Sequence, residues 1–98
     1  MIDQLTLELF APLLHQHFQL EIDGLAVQLE LLEAAPLKHA SPTNLGRQPF
    51  LLLFRGPGQP LLPQNTYSLV HDATGTQEIF MVPVAPDGIG PRYEAIFN

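Results

Sequence analysis

The stretch HFQLEIDGLAVQLEL, residues 17–31, constrains the fold of this chain more than any other. Asp23 and Gly24 suit the two central positions of a tight type I′ turn, because both residue types tolerate positive φ. A turn at these residues sets Phe18 opposite Leu29. In that register the apolar side chains share one face and the polar ones the other. Turn chemistry and alternation agree, so the sequence predicts an antiparallel hairpin.

Three more segments carry strand signals. Residues 66–84, TYSLVHDATGTQEIFMVPV, predict a second hairpin with Gly75 in the left-handed position of its loop. Two registers fit this hairpin: Leu69 opposite Ile79 or, with a longer loop, Tyr67 opposite Val82. The runs PFLLLFRG and RYEAIFN predict one strand each.

Two short helical turns are expected before the strands, in LTLELFAPLLHQ. Thr6 is suited to be the N-cap, and Leu7, Phe10 and Leu14 share one side of a helix. Pro12 argues against one continuous helix, because an interior proline removes a hydrogen bond and clashes with the preceding turn. The second turn should therefore begin near Pro12.

These elements predict an all-β fold of about six antiparallel strands, arranged as a compact, partly closed barrel or a two-layer meander with short N-terminal helical turns. The 98 residues can build one core but leave no room for a second. We therefore expect residues 1–98 to form a single β domain.

The run FLLLF is apolar on both faces of its strand. Phe50, Leu52 and Phe54 point one way, and Leu51 and Leu53 point the other. One set fills the interior, and the second needs cover from the N-terminal turns, from the proline-rich segment GPGQPLLPQ or from another chain. Exposed apolar patches mark interfaces, so Leu51 and Leu53 are candidate contacts to a protein partner or a second copy.

The segment AAPLKHASPTNLGRQP, residues 34–49, has no convincing period. Unstructured connections longer than about 12–15 residues are uncommon in compact domains unless they are functional or disordered. We interpret it as a candidate recognition loop for an acidic surface, with a mobile connector as the alternative. Its candidate contact residues are Lys38, His39, Asn44 and Arg47.

Charge and composition exclude several partners. The formal net charge is -6 with only 4 Lys and Arg residues, too few to neutralise a nucleic-acid backbone. We expect no nucleic-acid and no membrane partner. Asp3 and Glu8 stand where a secretory signal needs basic residues, which favours a cytoplasmic location.

Catalytic and metal motifs are weak. Ser68, His71 and Asp72 can be written as a triad, but Ser68 and His71 point to opposite faces of a strand. The pair His15 and His17 lacks a third ligand. We expect no enzyme, no metal and no cofactor.

Several of these pieces resemble a known family. LTLELFAPLLHQHFQL, PFLLLFRGP, LLPQNTYSLVH, IFMVPV and RYEAIFN, in this order, are similar to small bacterial domains of unknown function. The resemblance implies no assigned catalytic residues. Members are often encoded near phage-tail-collar-like proteins, which implies an accessory or assembly role. His15 departs from the family pattern, which leads us to expect Gly there.

We therefore expect a non-catalytic interaction or assembly module, accessory to a phage-tail-collar-like protein. The alternative is a small-ligand-binding β-barrel, and a hydrolase is a third, less favoured reading. A ligand-binding barrel would take its polar contacts from Tyr67, His71, Arg92 and Tyr93.

Overall fold

The computed structural model describes residues 5–37 and 48–97. A helix α1 (Leu7–Phe10) and a 3₁₀ turn (Ala11–Leu13) precede the strands β1 (His17–Ile22), β2 (Leu25–Pro36), β3 (Phe50–Arg55), β4 (Asn65–His71), β5 (Gly75–Val84) and β6 (Arg92–Phe97). All neighbouring strands are antiparallel, in the order β1-β2-β3-β6-β5-β4. Gln19 of β1 pairs with Val70 of β4 and closes the sheet. The predicted all-β fold is confirmed, and the barrel is closed.

The first hairpin has the predicted register. Phe18 lies opposite Leu29 and His17 opposite Glu30. Asp23 takes a φ of 51°, as the turn requires. The two apolar side chains at Phe18 and Leu29 are buried, so this hairpin turns its apolar face into the barrel.

Both predicted registers of the second hairpin are wrong, because Tyr67 lies opposite Ile79 and His71 opposite Gly75. The Thr74 N–H donates to the His71 carbonyl at 3.2 Å and closes the turn before Gly75. Gly75 has the predicted positive φ, 69°, but it is the first residue of β5. The sequence therefore located the turn correctly and placed the pairing incorrectly.

Part of the predicted irregular segment is strand. Ala34, Ala35 and Pro36 pair with β3 and are the last residues of β2. Beyond them, the Leu37 N–H donates to the Pro49 carbonyl at 2.9 Å. The candidate loop contacts lie outside the described residues: Lys38, His39, Asn44 and Arg47.

The N-terminal turns follow the prediction with one correction. The Thr6 hydroxyl accepts a hydrogen bond from the Leu9 N–H at 3.3 Å, as an N-cap does. Pro12 lies at the start of the 3₁₀ turn. The sequence predicted that Leu14 would share the apolar side of the helix, but Leu13 is buried and Leu14 is exposed. The reason is that a 3₁₀ turn follows α1 and has fewer residues per turn than an α-helix.

Phe10 packs against interior aromatic rings. Its ring centroid lies 6.2 Å from that of Phe18, 6.1 Å from that of Phe50 and 6.1 Å from that of Phe97. Phe50 and Phe97 stack across β3 and β6 with centroids 4.6 Å apart. The N-terminal turns thus insert an aromatic side chain among the side chains of the core.

Side chains occupy the interior of the barrel. The largest fully buried ones are Tyr93, Phe10, Phe18, Phe50, Phe54, Leu29, Leu31, Leu52, Leu69, Ile79 and Met81. Within residues 5–37 and 48–97, no helix is long and apolar enough to cross a membrane. Because the inward-facing positions are filled with large apolar groups, candidate sites are found on the outer surface and at the barrel ends.

Candidate interaction surfaces

An apolar face crosses three neighbouring strands on the outside of the barrel. Leu51 of β3 lies opposite Ile96 of β6. Val82 of β5 lies opposite Glu94 of β6, and Phe80 and Ile96 are each two residues from this pair, so alternation puts Phe80 and Ile96 on the same side of the sheet. We define the outer apolar face as the side chains of five residues: Phe80, Val82, Ile96, Leu51 and Leu53.

The outer apolar face is partly open to solvent. Phe80 is 52% exposed and Ile96 is 45% exposed, whereas Leu51 and Leu53 are half-buried. The N-terminal turns direct Phe10 among interior rings, away from this face. The sequence prediction that the second side of FLLLF needs further cover therefore corresponds to a half-exposed surface.

One acidic side chain lies within the outer apolar face and another lies at its border. Glu94 lies between Val82 and Leu53 across three strands. Glu33 pairs with Leu53 from the other side. Within the described part of the chain, the Glu94 carboxylate has no hydrogen-bond or ion-pair partner. A partner that covers this face therefore needs apolar groups together with a cation.

A second surface feature is a groove of about 470 Å³ beside the proline-rich connection between β3 and β4. We call it the proline groove. Its lining consists of Leu61, Leu62, Pro63, Pro83, Val84, Pro86, Pro91, Arg92 and Tyr93. Apolar side chains dominate the lining, with polar groups only at Arg92 and Tyr93.

Hydrogen bonds hold the walls of the proline groove. The Tyr93 hydroxyl accepts from the Leu62 N–H at 3.0 Å, and the Tyr67 hydroxyl donates to the Pro63 carbonyl at 2.5 Å. The Arg92 Nε donates to the Ala85 carbonyl at 2.9 Å. Burial, followed by the nearby Tyr93, raises the pKa of Tyr67 above its ordinary value. Tyr67 therefore stays a neutral donor.

The four predicted ligand contacts do not meet at one place. Arg92 and Tyr93 line the proline groove, and Tyr67 braces it through Pro63. His71 lies at the opposite end of β4, where its ring centroid is 4.8 Å from that of Phe18. His71 is not among the residues that line the proline groove, and contact of these side chains with a ligand stays a prediction.

His71 and Ser68 have separate partners. The His71 Nδ1 accepts from the Ala73 N–H at 2.9 Å, and its Nε2 lies 2.8 Å from the Gln16 Oε1. The Ser68 hydroxyl bonds to Glu78. Both ring nitrogens of His71 are engaged, so these contacts connect the second hairpin to the segment before β1.

The metal prediction concerned His15 and His17. His15 bonds to Glu30, with Nδ1 3.3 Å from the carboxylate, and His17 lies exposed opposite Glu30 in β2. Among residues 5–37 and 48–97, no three His, Asp or Glu side chains are grouped so that they could hold a metal ion.

An ion pair that the sequence did not predict joins Arg55 to Asp87. Asp87 also accepts from the backbone N–H groups of Ile89 at 3.0 Å and Gly90 at 3.2 Å. The Arg55 hydrogen bond, followed by the backbone donors, lowers the pKa of the Asp87 carboxyl. The Asp87-Gly88 turn signal was present in the sequence, but its partner lies 32 residues away.

A comparison with protein families identifies the family of this chain. The family model "Domain of unknown function (DUF6916)" matches residues 5–97. The match covers nearly the whole chain, so the protein belongs to this family. The predicted resemblance to a small domain of unknown function is confirmed at that level. Comparisons with curated proteins and with solved structures found no match.

Proposed function

We propose that this domain is a non-catalytic interaction or assembly module that docks through the outer apolar face. The observation that carries the proposal is the exposure of Phe80 and Ile96 on the wall of a closed barrel. Interfaces are enriched in aromatic residues, and such residues often supply much of the binding energy. Phe80 is the expected anchor.

The closed topology restricts how a partner can dock. Every strand of the barrel has two neighbours, so no free edge accepts an added strand. Association must therefore use the faces or ends of the barrel. The outer apolar face has an apolar row at Phe80 and Ile96, the carboxylate of Glu94 beside that row and an acidic border at Glu33, which suits a partner with apolar groups and a cation.

The first partner to test is a second copy of the chain. Its sequence carries basic candidates for the acidic border of the face, in the predicted recognition loop: Lys38, His39 and Arg47. Asn44 stays a predicted contact of the same loop. Leu51 and Leu53 remain predicted contacts on the apolar side.

The partners of His71 and Ser68 favour a structural role for these side chains. Engagement of both ring nitrogens of His71 leaves neither free to act on Ser68 in this arrangement. Ser68 bonds to Glu78. These contacts support a non-catalytic module over the hydrolase, which is the third alternative from the sequence.

Co-expression of a tagged and an untagged copy tests the proposal. Capture of the tagged copy should recover the untagged one. Phe80→Lys in both copies should abolish recovery, because it places a charge in the apolar row. Gln19→Lys is the matched control, since exposed Gln19 lies on β1, whose neighbours are β2 and β4 and none of the strands of the face. Equal recovery with both variants would contradict the assigned surface.

The finer proposal is an accessory role for a phage-tail-collar-like protein in bacteria. It is supported by the resemblance of the sequence pieces and rests on no contact in the structure. Co-expression with such a protein tests it: a stable complex lost with Phe80→Lys and kept with Gln19→Lys is the expected result. Absence of a complex with the wild-type chain would overturn this part.

A further inference from the structure

The proline groove has an unusual balance of polar groups. Seven of its lining side chains are apolar or proline, and the other two are Arg92 and Tyr93. Arginine only donates hydrogen bonds. The lining therefore offers donors beside apolar surface and carries no acidic side chain. Its volume of about 470 Å³ lies within the range of small-molecule sites, about 300–1,000 Å³.

Arg92 has donor capacity left. Its Nε is committed to the Ala85 carbonyl, which fixes the direction of the guanidinium. Within the described residues, its terminal nitrogens have no hydrogen-bond or ion-pair partner. A guanidinium binds a carboxylate with two parallel hydrogen bonds, so these nitrogens match a carboxylate in charge and in geometry.

Tyr93 forms part of the wall of the groove. Its oxygen accepts from the Leu62 N–H and holds the proline-rich connection in place. Consecutive residues of a strand point to opposite faces, and Tyr93 is 2% exposed, so Tyr93 is a wall group and Arg92 is the donor for a ligand. The donor lies beside Leu61, Val84 and proline rings.

Prolines restrict the chemical class further. Pro63, Pro83, Pro86 and Pro91 have no backbone N–H, so these walls cannot pair with the carbonyls of an extended peptide. Apolar contact is all that the proline rings offer. An occupant with one acceptor group and a hydrocarbon body fits such walls better than an extended peptide strand, which needs repeated backbone partners.

We propose that the proline groove binds a small aliphatic monocarboxylate. The carboxylate bonds to the terminal nitrogens of Arg92, and the hydrocarbon body lies against Leu61, Val84 and the proline rings. The groove shares no residue with the outer apolar face, although Val84 lies two positions from Val82 on β5, and the proposal does not depend on self-association.

Calorimetric titration of the full chain with octanoate, below its micelle concentration and at neutral pH, tests the proposal. Octan-1-ol has the same body without the charge, and octylamine reverses the charge. Octanoate should bind saturably, at least about tenfold more tightly than octan-1-ol, which corresponds to about 1.4 kcal/mol. Octylamine should not bind.

Substitutions at Arg92 assign the charge. Arg92→Gln should reduce octanoate affinity to that of octan-1-ol, and Arg92→Lys should keep most of it. Both variants remove the same guanidinium contact to Ala85, so a purely structural loss would affect them equally. Equal loss in both variants would overturn the assignment of Arg92 as the carboxylate partner.

Amide chemical shifts locate the ligand. Octanoate should shift Leu61, Leu62 and Val84. Shifts centred on Phe80 and Ile96 would place the ligand on the outer apolar face and would overturn the groove. Equal affinity for octanoate and octan-1-ol would overturn carboxylate recognition. Neither result bears on whether the outer apolar face joins two copies, which is measured by mass.

Discussion

The Tyr93 hydroxyl accepts a hydrogen bond from the backbone N–H of Leu62, and this bond fastens the proline-rich connection to the inside of β6. Leu62 is 2% exposed, so its N–H has no ready replacement from water. Tyr93→Phe should lower the free energy of unfolding by about 1–3 kcal/mol, the cost of an unpaired buried donor. Denaturant unfolding measures it.

Tyr67→Phe is the matched control for that bond. The Tyr67 hydroxyl is the donor, and the acceptor is the carbonyl of exposed Pro63. Water can replace the lost donor, so the loss should be smaller than for Tyr93→Phe. Equal losses of unfolding free energy in the two variants would contradict a larger contribution from the hydrogen bond to Leu62.

Gly56 and Gly58 should respond differently to alanine. A Cβ on Gly56 would lie 3.0 Å from the Leu29 Cδ2 and 3.1 Å from the Tyr93 Cε2, both buried. Gly56→Ala should therefore destabilise the fold by about 1–3 kcal/mol through overpacking. A Cβ on Gly58 meets no atom within 4 Å, so Gly58→Ala should be near neutral. Thermal unfolding compares them, and equal midpoints would contradict the packing at Gly56.

His15 has a φ of 67°, which most side chains adopt only with strain. The family pattern leads us to expect Gly there, and Gly adopts this conformation freely. His15→Gly should raise the free energy of unfolding by about 0.5–1 kcal/mol. His15→Ala keeps the strained Cβ and should bring no gain. The two variants are compared by chemical unfolding, and an equal gain in both would point to the ring instead of the backbone.

Asp87 should contribute to acid sensitivity. Its pKa is lower in the folded state than in the unfolded chain, because Arg55 and the N–H groups of Ile89 and Gly90 favour the carboxylate. The stabilisation is complete above the unfolded pKa, about 4, and is lost as the pH falls toward the folded value. Asp87→Asn should lower the melting temperature at pH 7, and its gap to wild type should narrow toward pH 2. A gap that is constant with pH would contradict the carboxylate's role.

Local signals predicted the first hairpin fully and the second one partly. Asp23 and Gly24 fix a two-residue turn, so the alternation of apolar and polar residues fits a single register. At the second turn, Gly75 left the loop length open, and the hydrogen bond from Thr74 to His71 decided it. A one-residue difference in loop length changes every pair of the ladder.

Long-range pairing accounts for the strand end and the groove neighbours that the sequence did not predict. Ala34 and Ala35 have weak strand propensity, yet they pair with Leu52 and Leu51 of β3. Arg92 and Tyr93 were predicted as ligand contacts, but their groove is completed by Leu61, some thirty positions earlier in the chain. Such neighbours follow from the barrel order and from no local pattern.

Solution mass by light scattering after size exclusion, at two concentrations, tests the central claim most directly. The account predicts that the wild-type chain and Gln19→Lys are heavier than the 10.9 kDa of one chain, and that Phe80→Lys returns to that mass. A wild-type chain that has the mass of one copy at both concentrations, unchanged by Phe80→Lys, would contradict self-association through the outer apolar face.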